Sequence, residues 1–437
     1  MFLREAALIP VPMIRQYLPR TAVDRRKLRQ INMMLEHCRR RVPHYRQDAR
    51  YHRPPLRRLD DLADLPVLIK ATLRERPPQE LLARGVQRRL EYRTSGSTGK
   101  VVVGYHDEAS HDYHEAACFR RWIATGMYLP TDRLTAIRQY SVPDRGFQSR
   151  LRLFRRHTIL SSRPIEEIKA ELLASRPHVL QGWPTHLRRV LRALDPAELA
   201  RLRRTLKFLF PDSELLTDEH RTLLAEGFGV PVFDEYSAFE VLNVYYECPA
   251  GGRHIAEDRV HVEILDEDDK PLPAGREGRV IVTAFMERAT PLIRYDLGDI
   301  GRLDPAPCRC RRTFRTMCLT GGRADDILSL PDGRRIYPDV LQRFSQTFPT
   351  LAECFVRQDA TGTIELNVVP LRPDADLDEL FDRVRCEVFR RVGGPFDLRV
   401  VPADEVPLTA GGKGRFVTSE YRAAAEPGST GDGRTPL

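Results

Sequence analysis

The chain has 437 residues, of which 41% are hydrophobic and 30% charged, with a net charge of +9. This length leaves ample core for two domains, and the balance excludes a disordered or collagen-like chain. No apolar run reaches membrane-spanning length, residues 1–10 are too short and interrupted for a signal peptide, and eight cysteines without such a signal point to reduced thiols or a metal site.

Arginines carry most of the positive charge but are spread along the chain, and no RNP, zinc-finger or helix-turn-helix signature occurs. The expectation is no nucleic acid, no membrane, a cytoplasmic location, a monomer or homodimer, and anionic small molecules favoured by the field.

Leu28, Ile31, Leu35, Cys38 and Val42 recur at helical spacing, predicting a helix over 23–42. A polar connection from Pro43 to Pro55 follows. Leu65-Pro66-Val67-Leu68-Ile69-Lys70 reads as an extended piece leading into a short helix. Residues 107–125 read as a helix holding His111, His114 and Trp122. Short apolar runs at 134–137, 179–181, 206–210 and 230–233 alternate with helical segments, one of them marked by Ile165, Ile168 and Leu172. Thr217 before Asp218-Glu219 reads as an N-cap. Strands are expected at 260–265 and 278–283, in a β-rich subregion that ends at Asp299. Beyond Gly321-Gly322-Arg323 the order is hairpin, helix 338–347, strands 353–357 and 364–369, helix 377–391 and strand 398–401.

The fold class expected is α/β. A large N-terminal α/β domain with layered sheets and a β-rich subregion spans 1–322, and a small mobile C-terminal α+β domain spans 323–422. Residues 423–437 are Gly/Pro/Ser/Thr-rich and read as a disordered tail.

The stretch Thr94-Ser95-Gly96-Ser97-Thr98-Gly99-Lys100 combines glycines, hydroxyls and a lysine ahead of the apolar run 101–103. Free backbone N–H groups, close backbone approach and a compact positive charge suit a phosphate cradle. It is not a Walker A loop, because Val101 stands where Ser or Thr would hold magnesium.

Read with other stretches in chain order, the cradle resembles the phosphate loop of the adenylate-forming superfamily. Ser213-Glu214 resembles that family's Gly-Glu step before the adenine pocket. Tyr236-Ser237-Ala238-Phe239-Glu240 matches its Tyr-Gly-x-Thr-Glu element at the first and last positions. Arg294-Tyr295-Asp296-Leu297-Gly298-Asp299 resembles the ribose element, Gly322-Arg323-Ala324-Asp325-Asp326 the hinge, and Gly412-Lys413-Gly414-Arg415 the catalytic-lysine motif. Val42-Pro43-His44-Tyr45-Arg46, Gln181-Gly182-Trp183-Pro184-Thr185 and Arg288–Tyr295 are similar to the phenylacetate–CoA ligase branch with its CapK-like relatives. The likeness covers nearly the whole chain.

The resemblance implies ATP-dependent activation of a carboxylic acid, aryl or arylacetic, to an acyl-adenylate, followed by transfer to coenzyme A. Alternatives are transfer to a carrier-protein thiol or an amine, and a non-catalytic scaffold retaining the fold. ATP would be held by Thr94, Ser95, Gly96, Ser97, Thr98, Gly99 and Lys100 at the phosphates. Ser213, Glu214, Asp234, Glu235, Tyr236 and Ser237 would line the adenine, while Asp299 and Arg323 would meet the ribose or phosphate. Glu240 would coordinate Mg²⁺, Lys413 would bridge the acyl carboxylate and the α-phosphate, and Asp325 would be the hinge. The acyl pocket would lie near Tyr140, Ser141, Trp183, Pro184, Tyr236 and Phe239. Ser237 and Phe239 depart from the family element, and the bulk of Phe239 is expected to reshape that pocket.

Cys248-x5-His254 with Cys308-x-Cys310 offers three thiolates and an imidazole, the ligands that zinc prefers in a closed structural site. Cys318 is the spare candidate. Some relatives in the same branch carry a similar set.

Overall fold

This computed structural model describes residues 8–87, 89–93, 102–123, 125, 129–139, 153, 155–323, 328–336, 348, 351–370, 377–408 and 414–421. The chain divides into two compact units. One comprises Met1–Thr320 with Leu408–Gly414, the other Gly321–Pro407 with Arg415–Leu437.

In the first unit a short helix, Pro10–Arg15, precedes a long one, Arg20–Arg41, that buries Val23, Lys27, Ile31, Met34, Leu35 and Cys38. Spacings of three and four put these side chains on one stripe. The helix stops at Val42, which is extended, as a residue before proline prefers. Strands β1 (Arg89–Arg93) and β2 (Val103–Asp107) form an antiparallel pair on either side of the phosphate-loop stretch. Residues 94–100 themselves lie outside the described residues. Helix Glu108–Ile123 follows β2 directly.

Four strands then build a parallel sheet: β3 (Arg133–Arg138), β4 (Arg155–Leu160), β5 (Val179–Gly182) and β6 (Phe208–Pro211), in the order β4-β3-β5-β6. One face presents Ile137, Ile159, Leu180 and Leu209 to helices Ile165–Ser175, Pro184–Ala193 and Asp218–Phe228. The other presents Leu134, Ala136, Val179, Phe208 and Phe210 to helix Glu108–Ile123. Burial on both faces is what makes these strands short unbroken apolar runs. Thr217 caps its helix by accepting from the His220 N–H at 3.2 Å.

Two sequence expectations shift here. The run 230–233 forms only a single bridge, Leu209 to Val232, because Pro231 has no N–H to donate. Strand β4, Arg-Arg-His-Thr-Ile-Leu, is too polar at its start to be read from alternation, yet it pairs with β3 along its length.

The β-rich part follows. β7 (Glu235–Ala238), β8 (Leu242–Glu247) and β9 (Arg253–Ile255) form one antiparallel sheet. β10 (Val260–Leu265), β11 (Gly278–Ala284), β12 (Leu292–Leu303) and β13 (Met317–Arg323) form another in that order. Tyr236, Val244, Tyr245, Val262, Val282 and Tyr295 belong to one buried cluster that joins the two.

In the second unit β14 (Leu328–Ser329) and β15 (Arg335–Ile336) form a hairpin whose turn uses Gly333 at φ +87. Its main sheet has the order β18-β17-β16-β19, from β16 (Leu351–Gln358), β17 (Ile364–Pro370), β18 (Leu398–Pro402) and β19 (Val417–Ser419). Helix Leu377–Val392 covers it with Leu380, Val384 and Val388. The expected helix 338–347 and tail 423–437 lie outside the described residues.

Candidate active site

The site is organised by one local arrangement. Leu68 pairs with β12, its N–H donating to Arg294 O and its carbonyl accepting from Asp296 N–H, each at 2.9 Å. This brings Lys70, two residues on, to 3.5 Å from Glu240 Oε1. From β12, Tyr295 donates its hydroxyl to the same oxygen at 3.0 Å. Glu240 is buried, and its Oε2 has no partner among the described residues. A carboxylate held by one oxygen, with the other open, suits a hard divalent cation.

Asp299 lies further along β12. Tyr236 donates its hydroxyl to Asp299 Oδ2 in a very short contact. Burial, with the Asp299 charge beside it, raises the Tyr236 pKa well above the usual phenol value, so the group is a fixed donor. An ionised carboxylate accepts only, which is the geometry a ribose diol requires.

Glu214 sits at the N-terminus of helix Pro184–Ala193. It accepts from the Thr185 hydroxyl at 3.0 and 2.8 Å and from the Thr185 N–H at 3.2 Å. The free N–H groups and dipole of a first helical turn favour that negative charge. Within the same unit, Gly414 N–H donates to Glu214 Oε1 at 2.8 Å. The residue following Lys413 therefore lies against Glu214. Ser213 before it is held at φ +66, an uncommon conformation for a non-glycine residue.

Behind this arrangement runs a buried polar chain. His106 Nε2 hydrogen-bonds the Phe239 carbonyl at 2.8 Å, and Nδ1 meets Glu287 Oε2 at 2.7 Å. Arg259 donates to Glu287 Oε1 at 2.7 Å. Burial pushes the Glu287 pKa up, but His106 and Arg259 outweigh it and hold the carboxyl at about 2. The chain fixes the backbone immediately before Glu240.

Asp234 accepts from Tyr245 at 2.8 Å and from Arg253 at 2.9 Å, and burial raises it to about 6. Glu235 pairs closely with Arg121. Burial and the nearby Asp212 charge push Glu235 up to about 7 against that pairing. Both carboxylates thus turn toward arginines. Ser237 is half-buried in β7. Trp183 is buried with its ring edge-on to His186 at 5.1 Å, and Pro184 opens the helix behind it. Phe239, expected to wall the pocket, is 36% exposed. Thr94–Lys100, Tyr140, Ser141, Asp325 and Lys413 lie outside the described residues, as does the side chain of Arg323.

Lys70, His106 and Glu287 belong to none of the motifs. Lys70 ended the extended stretch 65–70, which was the one signal available for it.

A second site gathers Cys248, His254, Cys308 and Cys310, whose ligand atoms all lie within 4.8 Å of one another. His254 Nδ1 hydrogen-bonds the Phe314 carbonyl at 2.8 Å, leaving Nε2 3.0 Å from Cys310 Sγ. That second bond fixes the tautomer of a metal-ligating histidine. Burial lowers the His254 pKa to about 4, so the ring is neutral near pH 7. A Cβ at Gly252 would lie 2.4 Å from Cys308 Sγ, so only glycine leaves room for the thiol there. Cys318 interacts with Arg253 and Leu319 rather than joining the set. Three thiols and an imidazole in this arrangement fit zinc.

No protein-family model matches the chain. A phenylacetate-coenzyme A ligase of Thermus thermophilus is 28% identical, over 92% of this chain and 97% of the relative. Protein CapK of Staphylococcus aureus is 23% identical, over 83% and 81%. Among solved structures, a 2-hydroxyisobutyryl-CoA ligase in its postadenylation state superposes with a TM-score of 0.76 at 19% identity, over 94% of this chain and 92% of the other. Over nearly its whole length the chain is similar in sequence to phenylacetate–CoA ligases and to CapK, and it shares its fold with a CoA ligase of known structure.

Proposed function

We propose that this protein activates a carboxylic acid with ATP, releasing pyrophosphate and forming an acyl-adenylate, and then transfers the acyl group to the thiol of coenzyme A. The observation that carries this reading is the meeting of Tyr236, Asp299, Tyr295 and Glu240 within one unit.

In the first step a carboxylate oxygen attacks the α-phosphorus and the bond to pyrophosphate breaks. Negative charge builds on phosphoryl oxygens, so the work of the protein is positioning and charge stabilisation. Asp299 accepts the ribose hydroxyls, and Tyr236 stacks beside the adenine. Ser213 and Glu214 border the base. Thr94–Lys100 grips the β- and γ-phosphates, and Glu240 would hold Mg²⁺, whose charge would offset that of the phosphates. Arg323 contacts ribose or phosphate. Lys413 bridges the acyl carboxylate and the α-phosphate, and rotation at Asp325 then withdraws it to admit the thiol. Cys248, His254, Cys308 and Cys310 hold a structural zinc ion that ties β8 and β9 to the loop before β13. The protein acts in the cytoplasm.

The test is pyrophosphate exchange across a broad panel of carboxylic acids. Acid-dependent exchange is expected, and its absence across the panel would sink the enzyme reading. Adding coenzyme A should then consume the adenylate. An adenylate that persists with coenzyme A but is consumed by a carrier-protein thiol or an amine would reassign the acceptor.

A further inference from the structure

One buried cluster is not used by the steps above. Asp212 follows β6 directly and is 2% exposed. Its Oδ2 accepts from Gln181 Nε2 at 2.8 Å and from Arg138 at 2.9 Å. Its Oδ1 is equally buried and has no hydrogen-bond partner among the described residues. Close by, Glu235 pairs with Arg121, whose guanidinium lies 5.4 Å over the Phe210 ring.

The position of the cluster matters. Ala136, Gln181 and Phe210 are register partners across β3, β5 and β6, so they share one face. Arg138 and Asp212 stand two residues further along on that same face, at the C-terminal ends of the strands. Open parallel sheets bind their ligands at that end. From the same strand ends the chain runs into Trp183-Pro184 and Ser213-Glu214, residues expected around the acyl group and the adenine. The Asp212 N–H donates to the Gly182 carbonyl at 3.2 Å, which holds two of these exits together.

The chemistry of the open atom selects the ligand. An ionised carboxylate can only accept, so Oδ1 calls for an N–H or O–H. Leaving such an atom buried without a partner is costly, the more so for a charged group. Arg121 and Arg138 already pair with carboxylates, and Arg156 adds a third positive charge nearby; what Oδ1 itself lacks is a donor.

Resting on the acid-activation reading, we infer that Asp212 is a specificity-determining residue. The acid this protein takes carries a hydroxyl or amino substituent that donates to Asp212 Oδ1, rather than being an unsubstituted aryl or arylacetic acid.

The experiment is calorimetric binding to the full chain, with AMP present, of matched acids: phenylacetate, its ring-hydroxylated and ring-aminated derivatives, an aliphatic acid with its hydroxy and amino derivatives, and a dicarboxylic acid. In at least one series a donor-bearing acid should bind about 10- to 100-fold tighter than its unsubstituted partner, and comparing hydroxyl with amine identifies the source of the donor. Asp212→Asn should abolish that preference. Its one amide oxygen is needed by Gln181 and Arg138, so its NH₂ would face the ligand's donor. A melting curve checks that the variant is folded. The inference is overturned if no acid binds, if no donor-bearing acid is preferred, if the dicarboxylic acid wins, or if folded Asp212→Asn keeps the preference. Pyrophosphate exchange run alongside separates the two readings. Selective binding without exchange would sink adenylation and leave the Asp212 site standing. Exchange without selectivity would do the reverse.

Discussion

Tyr295 and Glu240 meet through a 3.0 Å hydrogen bond from the buried phenol to the carboxylate. The two residues come from motifs 55 positions apart, and the bond orients a carboxylate whose other oxygen has no partner among the described residues. Glu240→Gln should abolish acid-dependent exchange while leaving the melting temperature nearly unchanged. Tyr295→Phe should cost about 1.5–3 kcal/mol of orientation, roughly ten- to hundredfold in activity, read as a higher magnesium requirement. A Tyr295→Phe variant with an unaltered magnesium profile would remove this link.

Asp299 should be read out through the ribose. The wild type is expected to prefer ATP over 2′-deoxy-ATP by about tenfold or more, because the lost hydroxyl removes one donor to a charged acceptor. Asp299→Ala should level that preference and raise KM for ATP. Equal discrimination in the variant would assign the ribose to another residue.

Lys413→Ala should abolish adenylation with the fold intact, since the lysine is proposed to act only on charge that develops in the transition state. Glu214→Ala, which removes the acceptor of the Gly414 N–H, should lower exchange less severely. Undiminished exchange in Lys413→Ala would show that the lysine has been misassigned.

Purified protein should carry about one zinc ion per chain, as a closed site with four protein ligands would hold. Cys310→Ala or prolonged chelation should release it and lower the melting temperature, because metal binding is coupled to folding. A fully folded chain free of zinc, by elemental analysis, would remove the metal from the account.

Acid stability follows from Glu287. Its folded pKa of about 2 lies below its ordinary 4.5. The contribution of this group is present above the ordinary value and is lost as pH falls from there toward 2. Protonating Glu287 also weakens its bond to His106, which holds the Phe239 carbonyl. Thermal melts from about pH 5 to about pH 3 should fall steeply, and His106→Gln should flatten that fall. A flat wild-type profile over this window would refute the assignment.

The layered α/β core was legible because its signals are local. Runs such as Leu134–Ile137 and Val179–Gln181 are apolar on both faces, and the stripe through Ile31, Leu35 and Cys38 repeats at helical spacing. The metal cluster was legible because its residue types are chemically selective and meet without further help. Strand β4 was not, because Arg155 and Arg156 mask an extended segment that only its neighbour β3 stabilises. Lys70 and His106 were not, because no local pattern says which distant carboxylate or carbonyl each will meet.

The sequence by itself determined the chemistry on offer: a phosphate-loop composition, the Tyr236, Glu240 and Asp299 motifs, and a set of zinc-type ligands, all in an order that resembles one superfamily. Residue type and spacing carry that information because donors, acceptors and turns are local properties. Only the tertiary structure decided how the groups are paired. It turned Asp234 and Glu235 toward arginines, left Phe239 partly exposed, and gave Asp212 one oxygen with hydrogen bonds and one without a partner among the described residues. The physical reason is that hydrogen-bond satisfaction and burial depend on contacts between segments far apart in the chain, which no local pattern encodes.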